Sequence, residues 1–448
     1  LTAKQSGIIA PKLPGAFYRL FRSFYYSENA ELKRLSGLLS VSEARQILLD
    51  ALEPVGVEWV GLAKAAGRIL AGDILARFDL PPFSNSSMDG FAVLSGDVQK
   101  AGAESPVTLN VIDDIPAGQA GTGMLQHGQA VRIMTGAPLP SGAEAVVPVE
   151  ETDFGVRGPG LGAPEQVRIY HPAKAGENVR PQGQDVRAGE RVLTAQTYLR
   201  AQEVGFLAML GEAQVKVYRR PRIGLISTGD ELMPVEERLE PGKIHDSNVY
   251  ILAALVEKYG GESFNLGIAA DRQESVMEVL ERAYQADVDL ILSSAGVSVG
   301  AFDFVRKVVE EHGELSFWRV NMRPGKPLAF GHYRKKSFIG LPGNPVSSFV
   351  AFEVFVRPAL LKMSGFSELG RASQTVRLAK AIESDGRESY LRSIVTHEAG
   401  IWTARLTGHQ GSGNLRSLVQ ANALLIVPSG VKSLPAGAEL EAWMFDGF

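Results

Sequence analysis

The chain has 448 residues and a mass of 48.2 kDa, with 45% hydrophobic and 21% charged residues. That length implies two to four domains of ~100–150 residues each, and the composition excludes a disordered or collagen-like chain. Cysteine is absent, which excludes disulfides, thiolate zinc sites, iron–sulfur ligation and a cysteine nucleophile, and fits a reducing compartment such as the cytoplasm. Lys and Arg number 46 against 50 Asp and Glu, for a net charge of −4. The first 36 residues carry +4 (Lys4, Lys12, Arg19, Arg22, Lys33 and Arg34 against Glu28 and Glu31), so the remainder carries −8. A body this acidic does not track nucleic-acid phosphates. No apolar run approaches the ~20 residues of a membrane span.

Residues 1–36 interleave Phe17, Tyr18, Phe21, Phe24, Tyr25 and Tyr26 with basic residues but lack the apolar core and cleavage site of a secretory signal. They read as an extension or a cloning remnant, with a transit or membrane-surface segment as the alternative. Regular structure is expected from Ser40, where Ser40-Val-Ser-Glu43 is a capping box ahead of Ala44, Ile47, Leu48 and Leu52 at helical spacing. A second helix is expected over 62–71. From 81 to about 180, short β-like runs broken by Gly and Pro indicate a β-rich domain.

From Pro221 the pattern becomes strand–loop–helix. Arg222–Ser227 reads as a buried strand ending at Thr228-Gly-Asp-Glu231, and a helix from Asp246 or Ser247 ends at Gly260-Gly261. Phe264–Ile268 reads as a strand leading to Asp271, which is placed to cap the helix 274–286. Val288–Ser293 precedes the loop Ala295-Gly-Val-Ser-Val-Gly300 and a helix from Asp303. A strand over 316–320 leads to Arg323-Pro-Gly-Lys326-Pro. Ser337–Leu341 then leads to Pro342-Gly-Asn344-Pro345, with Asn344 as helix N-cap and Pro345 as first helical residue. Such repeats imply a parallel sheet covered by helices on both faces. After about 365, short strands over 375–382, 390–397, 423–427 and 439–445 indicate a small sandwich or barrel.

In such a sheet, ligands bind beyond the carboxyl ends of the strands. The 295–300 loop offers backbone donors ahead of a helix and suits a phosphate, although it matches neither the Rossmann nor the P-loop spacing. Asp230, Glu231, Asp271 and Asp303 recur at the same ends; if they converge, a bound cation relieves their repulsion, and oxygen-only ligands point to Mg²⁺. Helix capping is the alternative role for Asp271 and Asp303. Arg323 and Lys326 form a basic loop able to hold an oxyanion, or a solvated turn. The seven histidines show no metal-ligand spacing, and no Gly-x-Ser-x-Gly elbow occurs. These residues by themselves reach as far as an enzyme handling a phosphorylated small molecule with Mg²⁺.

Seven motifs occur in order: Pro82–Val93 (PFSNSSMDGFAV), Ile133–Pro138 (IMTGAP), Ser227–Leu232 (STGDEL), Gly296–Gly300 (GVSVG), Arg323–Pro327 (RPGKP), Gly340–Pro345 (GLPGNP) and Gly408–Ser412 (GHQGS). Together they resemble the molybdopterin molybdenumtransferase family, which includes the C-terminal domain of gephyrin, over roughly 37–448. The resemblance implies an elongated homodimer that inserts molybdate into adenylylated molybdopterin with Mg²⁺-dependent release of AMP. The substrate's dithiolene takes the metal, so no protein thiol is needed. It implies a discontinuous α/β connector (37–78 and 181–218), a β-rich insert (79–180), an α/β molybdopterin-binding domain (219–364) and a terminal β-barrel (365–448), with the cleft formed by the α/β domain of one subunit and the insert of the other.

Carried over position by position, the resemblance implies Asp89, Thr135, Asp185, Glu231, Asp271 and Asp303 as catalytic residues, with Asp89, Asp185 and Glu231 holding metal. Thr228, Gly229, Asp230, Ser294, Gly296, Ser298, Gly300, Arg323, Lys326, Pro342 and Asn344 are implied as substrate or phosphate ligands. Arg323 stands where lysine is common, and Ala295 where glycine is common. Expected partners are the small-molecule substrate, a second copy of the chain, the adenylyltransferase and molybdoenzymes. Three other readings are molybdopterin adenylylation, a non-enzymatic scaffold and a tungsten-specific paralogue.

Overall fold

The computed structural model describes residues 38–156, 162–294 and 301–445. The chain divides into two compact units. One comprises Trp59–Ala66 and Leu70–Lys216; the other comprises residues up to Glu58, Gly67–Ile69 and everything from Val217.

The first unit is built on a five-stranded sheet of β1 (Gly90–Val93), β2 (Val107–Ile115), β3 (Gln129–Ile133), β4 (Ala145–Pro148) and β5 (Gln166–Ile169) in the order β4-β1-β3-β2-β5. Strand β1 is buried at all four positions because it lies centrally between β3 and β4. Phe91, Val93, Ala145 and Val147 enter one core, and Ala92, Val131, Ile133 and Val146 another, as the two-residue period of a strand requires. The expected helix over 62–71 is instead a single 3₁₀ turn, Leu62–Lys64, after a strand at Val57–Gly61. The amides of Leu62, Leu70 and Ala71 are bonded to the carbonyls of Ala213, Thr197 and Lys216, so no helical ladder forms. Long-range pairing outweighs the local helical pattern.

In the second unit, helix α1 (Val41–Asp50) opens with the expected capping box of Ser40 and Glu43. The six-stranded sheet contains β6 (Arg222–Thr228), β7 (Glu262–Ala269), β8 (Leu290–Ser294), β9 (Gly313–Arg319), β10 (Pro327–Tyr333) and β11 (Lys336–Leu341) in the order β7-β6-β8-β11-β10-β9. The strands β7, β6, β8 and β11 are parallel, as the β–α repeats imply. Strands β10 and β9 are antiparallel additions. The physical reason is the connection: Arg334 and Lys335 alone separate β10 from β11, far short of the dozen or more residues a parallel crossover needs.

Both faces of the sheet are covered. Helices α2 (Ser247–Lys258), α5 (Pro345–Ala351) and α6 (Arg357–Met363) pack on one face with Ile223, Leu225, Leu292 and Ile339. Helices α3 (Gln273–Gln285) and α4 (Ala301–His312) pack on the other with Ile226, Ile291 and Phe338. Between α5 and α6 the chain makes a π turn, Phe352–Val356, buried at every residue. No helix among the described residues is long and apolar enough to cross a membrane.

Strands β12 (Ser373–Leu378), β13 (Glu388–Glu398), β14 (Ile401–Leu406), β15 (Ala423–Val427) and β16 (Glu439–Met444) follow in the order β13-β14-β12-β16-β15. Strand β15 pairs back onto β13, closing a five-stranded barrel. Helix α7 (Leu415–Val419) lies between β14 and β15.

Candidate active site

The carboxyl ends of β7, β6, β8 and β11 lie side by side, three strand spacings or about 14 Å across. They carry Ala269, Thr228, Ser294 and Leu341. At this edge buried polar atoms have no partner among the described residues: Thr228 Oγ1, Ser293 Oγ, Asp271 Oδ1 and Asn248 Oδ1. Ser227 and Ser294, on adjacent strands, share a hydroxyl–hydroxyl contact of 3.1 Å. A buried polar atom left unpaired costs about 1–3 kcal/mol, so several of them at one strand edge indicate a surface made for a ligand.

The acids gather here. Asp230 Oδ1 accepts the Asp271 backbone N–H at 3.0 Å. Gly229 adopts φ +151°, and a side chain there would meet the Glu231 carboxylate at 2.6 Å, so the glycine lets that carboxylate fold back over the strand end. Burial, followed by the charges of Asp230 and Glu231, raises the Asp271 pKa above the ordinary carboxylate value. Lys243 Nζ donates to the Asp230 carbonyl at 2.5 Å. Asp271 does not cap the following helix: Arg272 occupies the N-cap position without a side-chain bond, and Ser275 Oγ accepts the Ala270 N–H at 3.0 Å. Its carboxylate is thereby left for the acidic group.

At the next strand ends the loop Pro342–Pro345 does two things. Pro345 is the first residue of α5, as expected, but the Asn344 side chain makes no capping bond. It donates instead to Ser412 Oγ at 2.8 Å, while Val346 N–H donates to the Ser412 carbonyl at 3.1 Å. The Gly343 carbonyl accepts from Asn248 Nδ2 at 2.7 Å. Asn248 follows Asp246, which caps α2 through bonds to the amides of Asn248 and Val249.

The basic loop turns at Gly325 (φ +104°). Arg323 is half-exposed and 3.8 Å from Asp385 Oδ2, which also binds Arg387. The Lys326 side chain is exposed and has no hydrogen-bond or ion-pair partner among the described residues, while its carbonyl accepts the Val320 N–H at 3.0 Å. Close by is Arg392, fully buried on β13. Its guanidinium bonds Ser417 Oγ at 3.0 Å and the carbonyls of His409, Gln410 and Gly411 at 3.3, 3.2 and 2.9 Å. Burial and the charge of Arg323 lower its pKa to about 10. A buried cation held by carbonyls and facing a second arginine favours an anion. Sequence reasoning missed Arg392, Asn248 and Ser412 as single residues. GHQGS was visible as a motif, but nothing in the sequence connects Arg392 to a loop 16 or more residues further on.

In the first unit, Asp89 Oδ1 accepts from both Thr135 N at 2.7 Å and Thr135 Oγ1 at 2.8 Å. Those bonds, with the nearby charge of Arg132, hold its carboxyl below the ordinary range. Gly90, next in sequence, lies so close to β4 that a Cβ would meet the Val147 carbonyl at 2.1 Å. Asp185 pairs with Arg180 at 2.6 Å. The short strands Asn85–Ser86 and Val179–Arg180 are paired, which brings the segments bearing Asp89 and Arg180 side by side. The predicted acids divide between the two units: Asp89 and Asp185 lie in one, and Asp230, Glu231 and Asp271 in the other. Gly296, Ser298, Gly300 and Ala295 lie outside the described residues, as does the side chain of Asp303. Among the described residues, no three His, Asp or Glu side chains are already arranged as a metal cage.

Comparison with known proteins identifies three family regions along the chain. Residues 39–211 match the MoeA N-terminal region (domains I and II), 224–362 a probable molybdopterin binding domain, and 375–445 the MoeA C-terminal region (domain IV). Molybdopterin molybdenumtransferase 2 of Mycobacterium tuberculosis is 38% identical over 412 residues, covering 90% of this chain and 99% of that protein. The molybdopterin molybdenumtransferase of Nostoc sp. is 40% identical over 390 residues, covering 86% and 87%. A crystal structure of the molybdopterin biosynthesis MoeA protein from Pyrococcus horikoshii superposes with a TM-score of 0.78 at 32% identity, covering 92% of this chain and all of that one. The chain belongs to the molybdopterin molybdenumtransferase family.

Proposed function

We propose that the chain is a transferase of molybdenum cofactor biosynthesis that inserts molybdate into adenylylated molybdopterin and releases AMP. The observation that carries this reading is the pairing, at one strand edge, of a carboxylate group (Asp230, Glu231, Asp271) with an anion-favouring group (Arg323, Lys326, Arg392 and the Asn344–Ser412 contact). A substrate carrying both a pyrophosphate and a dithiolene that takes up an oxyanion needs both groups. The orphaned hydroxyl of Thr228 and the buried Ser294 supply polar contacts between them.

The carboxylates fit Mg²⁺: their donors are oxygen only, Asp271 Oδ1 has no partner among the described residues, and a dication offsets the burial and the neighbouring carboxylate charges that raise the Asp271 pKa. Asp230, Glu231 and Asp271 would hold the ion, which supplies charge neutralisation as the phosphoric anhydride is cleaved. Arg323 and Lys326 attract the tetrahedral dianion, and the Arg392 side chain ties down the backbone of the neighbouring loop at His409–Gly411. Thr135 fixes the Asp89 carboxylate in its charged form. A homodimer in the cytoplasm is part of the proposal; the exposed Trp59, Leu75 and Met209 are side chains suited to burial at such an interface.

The test is reconstitution. The protein with adenylylated molybdopterin, molybdate and Mg²⁺ should generate cofactor that activates a cofactor-free molybdoenzyme. Asp89→Asn and Arg323→Ala should each reduce that yield by about a hundredfold or more. Yields equal to the unmutated chain for both variants would contradict the assignment.

A further inference from the structure

A buried ionic cluster lies away from the strand edge. Glu353, on the π turn between α5 and α6, is 3% exposed. Both its oxygens accept from Tyr259 Oη, at 3.0 and 3.1 Å, and it forms a salt bridge with Arg371. Arg371 belongs to the connection between α6 and the first barrel strand β12. Its other terminal nitrogen donates to the carbonyl of Met444 at 2.5 Å and approaches that of Phe445 at 3.4 Å, at the end of the last barrel strand. Arg357 holds the same connection through the carbonyls of Leu369 and Gly370, at 3.3 and 3.0 Å. The ring of Phe445 packs edge-on against Phe349 of α5. A π turn exposes backbone geometry that a regular helix would not, and such turns recur where a helix must aim one side chain.

From Phe445 a continuous set of bonds leads to the candidate site. Phe445 N–H donates to the Asn422 carbonyl, and Asn422 N–H to the carbonyl of Ser393. The neighbouring Arg392 grips the loop that ends at Ser412, and Ser412 meets Asn344 and Val346. We propose that the Glu353–Arg371 pair is a positioning element that sets the barrel on the α/β domain in the register at which Ser412 reaches Asn344. This role rests on the proposed function for its consequence in turnover, and on geometry alone for its consequence at Ser412. Arg371 touches no reacting group in this account and acts through the barrel.

The Val346 amide, bonded to the Ser412 carbonyl, reports that contact directly, and the Val249 amide, bonded to Asp246 within the α/β domain, is its control. In the full-length chain, Arg371→Met should speed hydrogen exchange at Val346 at least tenfold with Val249 unchanged, and lower molybdate-dependent turnover per folded molecule at least tenfold. Arg371→Lys, which keeps the charge against Glu353 and is the milder variant for folding, should show the same two effects to a smaller degree. Exchange at Val346 that merely follows Val249 would overturn the proposal by reducing the cluster to a general contribution to stability. Faster exchange at Val346 with unchanged turnover would overturn the positioning role as well. Absence of molybdate-dependent turnover in the unmutated chain is a different result and would count against the proposed function.

Discussion

Asp271 carries a charge that the fold itself disfavours. Its folded pKa lies above its unfolded value because burial and two neighbouring carboxylates oppose its charge. A raised carboxyl pKa means that the folded state binds the extra proton more tightly, so stability is favoured below the unfolded pKa of about 3.9 and falls as pH rises through the folded value. Asp271→Asn removes the charge. At neutral pH the variant should be more stable than the unmutated protein, by no more than about 1 kcal/mol given the partial exposure of the group, and the difference should vanish towards pH 3. Chemical denaturation at several pH values checks this, and activity should be lost in the same variant. Asp89 has the opposite sign: its lowered pKa gives stability that is present above the ordinary carboxylate range and lost as pH falls through the folded value. At this scale the strand-end position of Asp230, Glu231 and Asp271 was legible in the sequence, since carboxylates that follow an apolar strand run are visible as residues. It is a poor guide to Arg392, whose meaning depends on which carbonyls the barrel brings to it.

At the scale of elements, the strand β1 explains why the Met-Asp-Gly motif ends in glycine. Gly90 lies opposite Ile133 and Pro148 in the two flanking strands, and its Cα is nearly in contact with the Val147 backbone. Gly90→Ala must push β4 away and should destabilise its unit by about 1–3 kcal/mol, with Asp89 displaced from Thr135. Urea unfolding followed through Trp59, which belongs to the same unit, measures the loss; a change under about 0.5 kcal/mol would show that β4 yields freely. The apolar runs of β6, β8 and β11 and the cap at Ser40 were legible because strand and helix periodicities differ and capping chemistry is local. The stretch 62–71 was not, because its amides are taken by residues about 130–150 positions away, and no local pattern records that. The antiparallel β10–β11 hairpin was not legible, because its two-residue turn, Arg334-Lys335, contains none of the Gly, Asn or Asp that mark such turns.

At the scale of the molecule, the order of motifs carried the family and the structure adds how they are held. Three loops far apart in sequence, ending near residues 230, 271 and 344, are neighbours only because β7, β6, β8 and β11 are parallel and adjacent. The barrel adds Ser412 and the Arg392-held loop to that edge. The central claim is that this edge couples uptake of molybdate to cleavage of the substrate's pyrophosphate. The most direct measurement is AMP release from adenylylated molybdopterin by the purified chain, with and without molybdate and with and without Mg²⁺. The account predicts AMP only when both are present, together with active cofactor. Tight binding of the substrate with no AMP under any of the four conditions would contradict it.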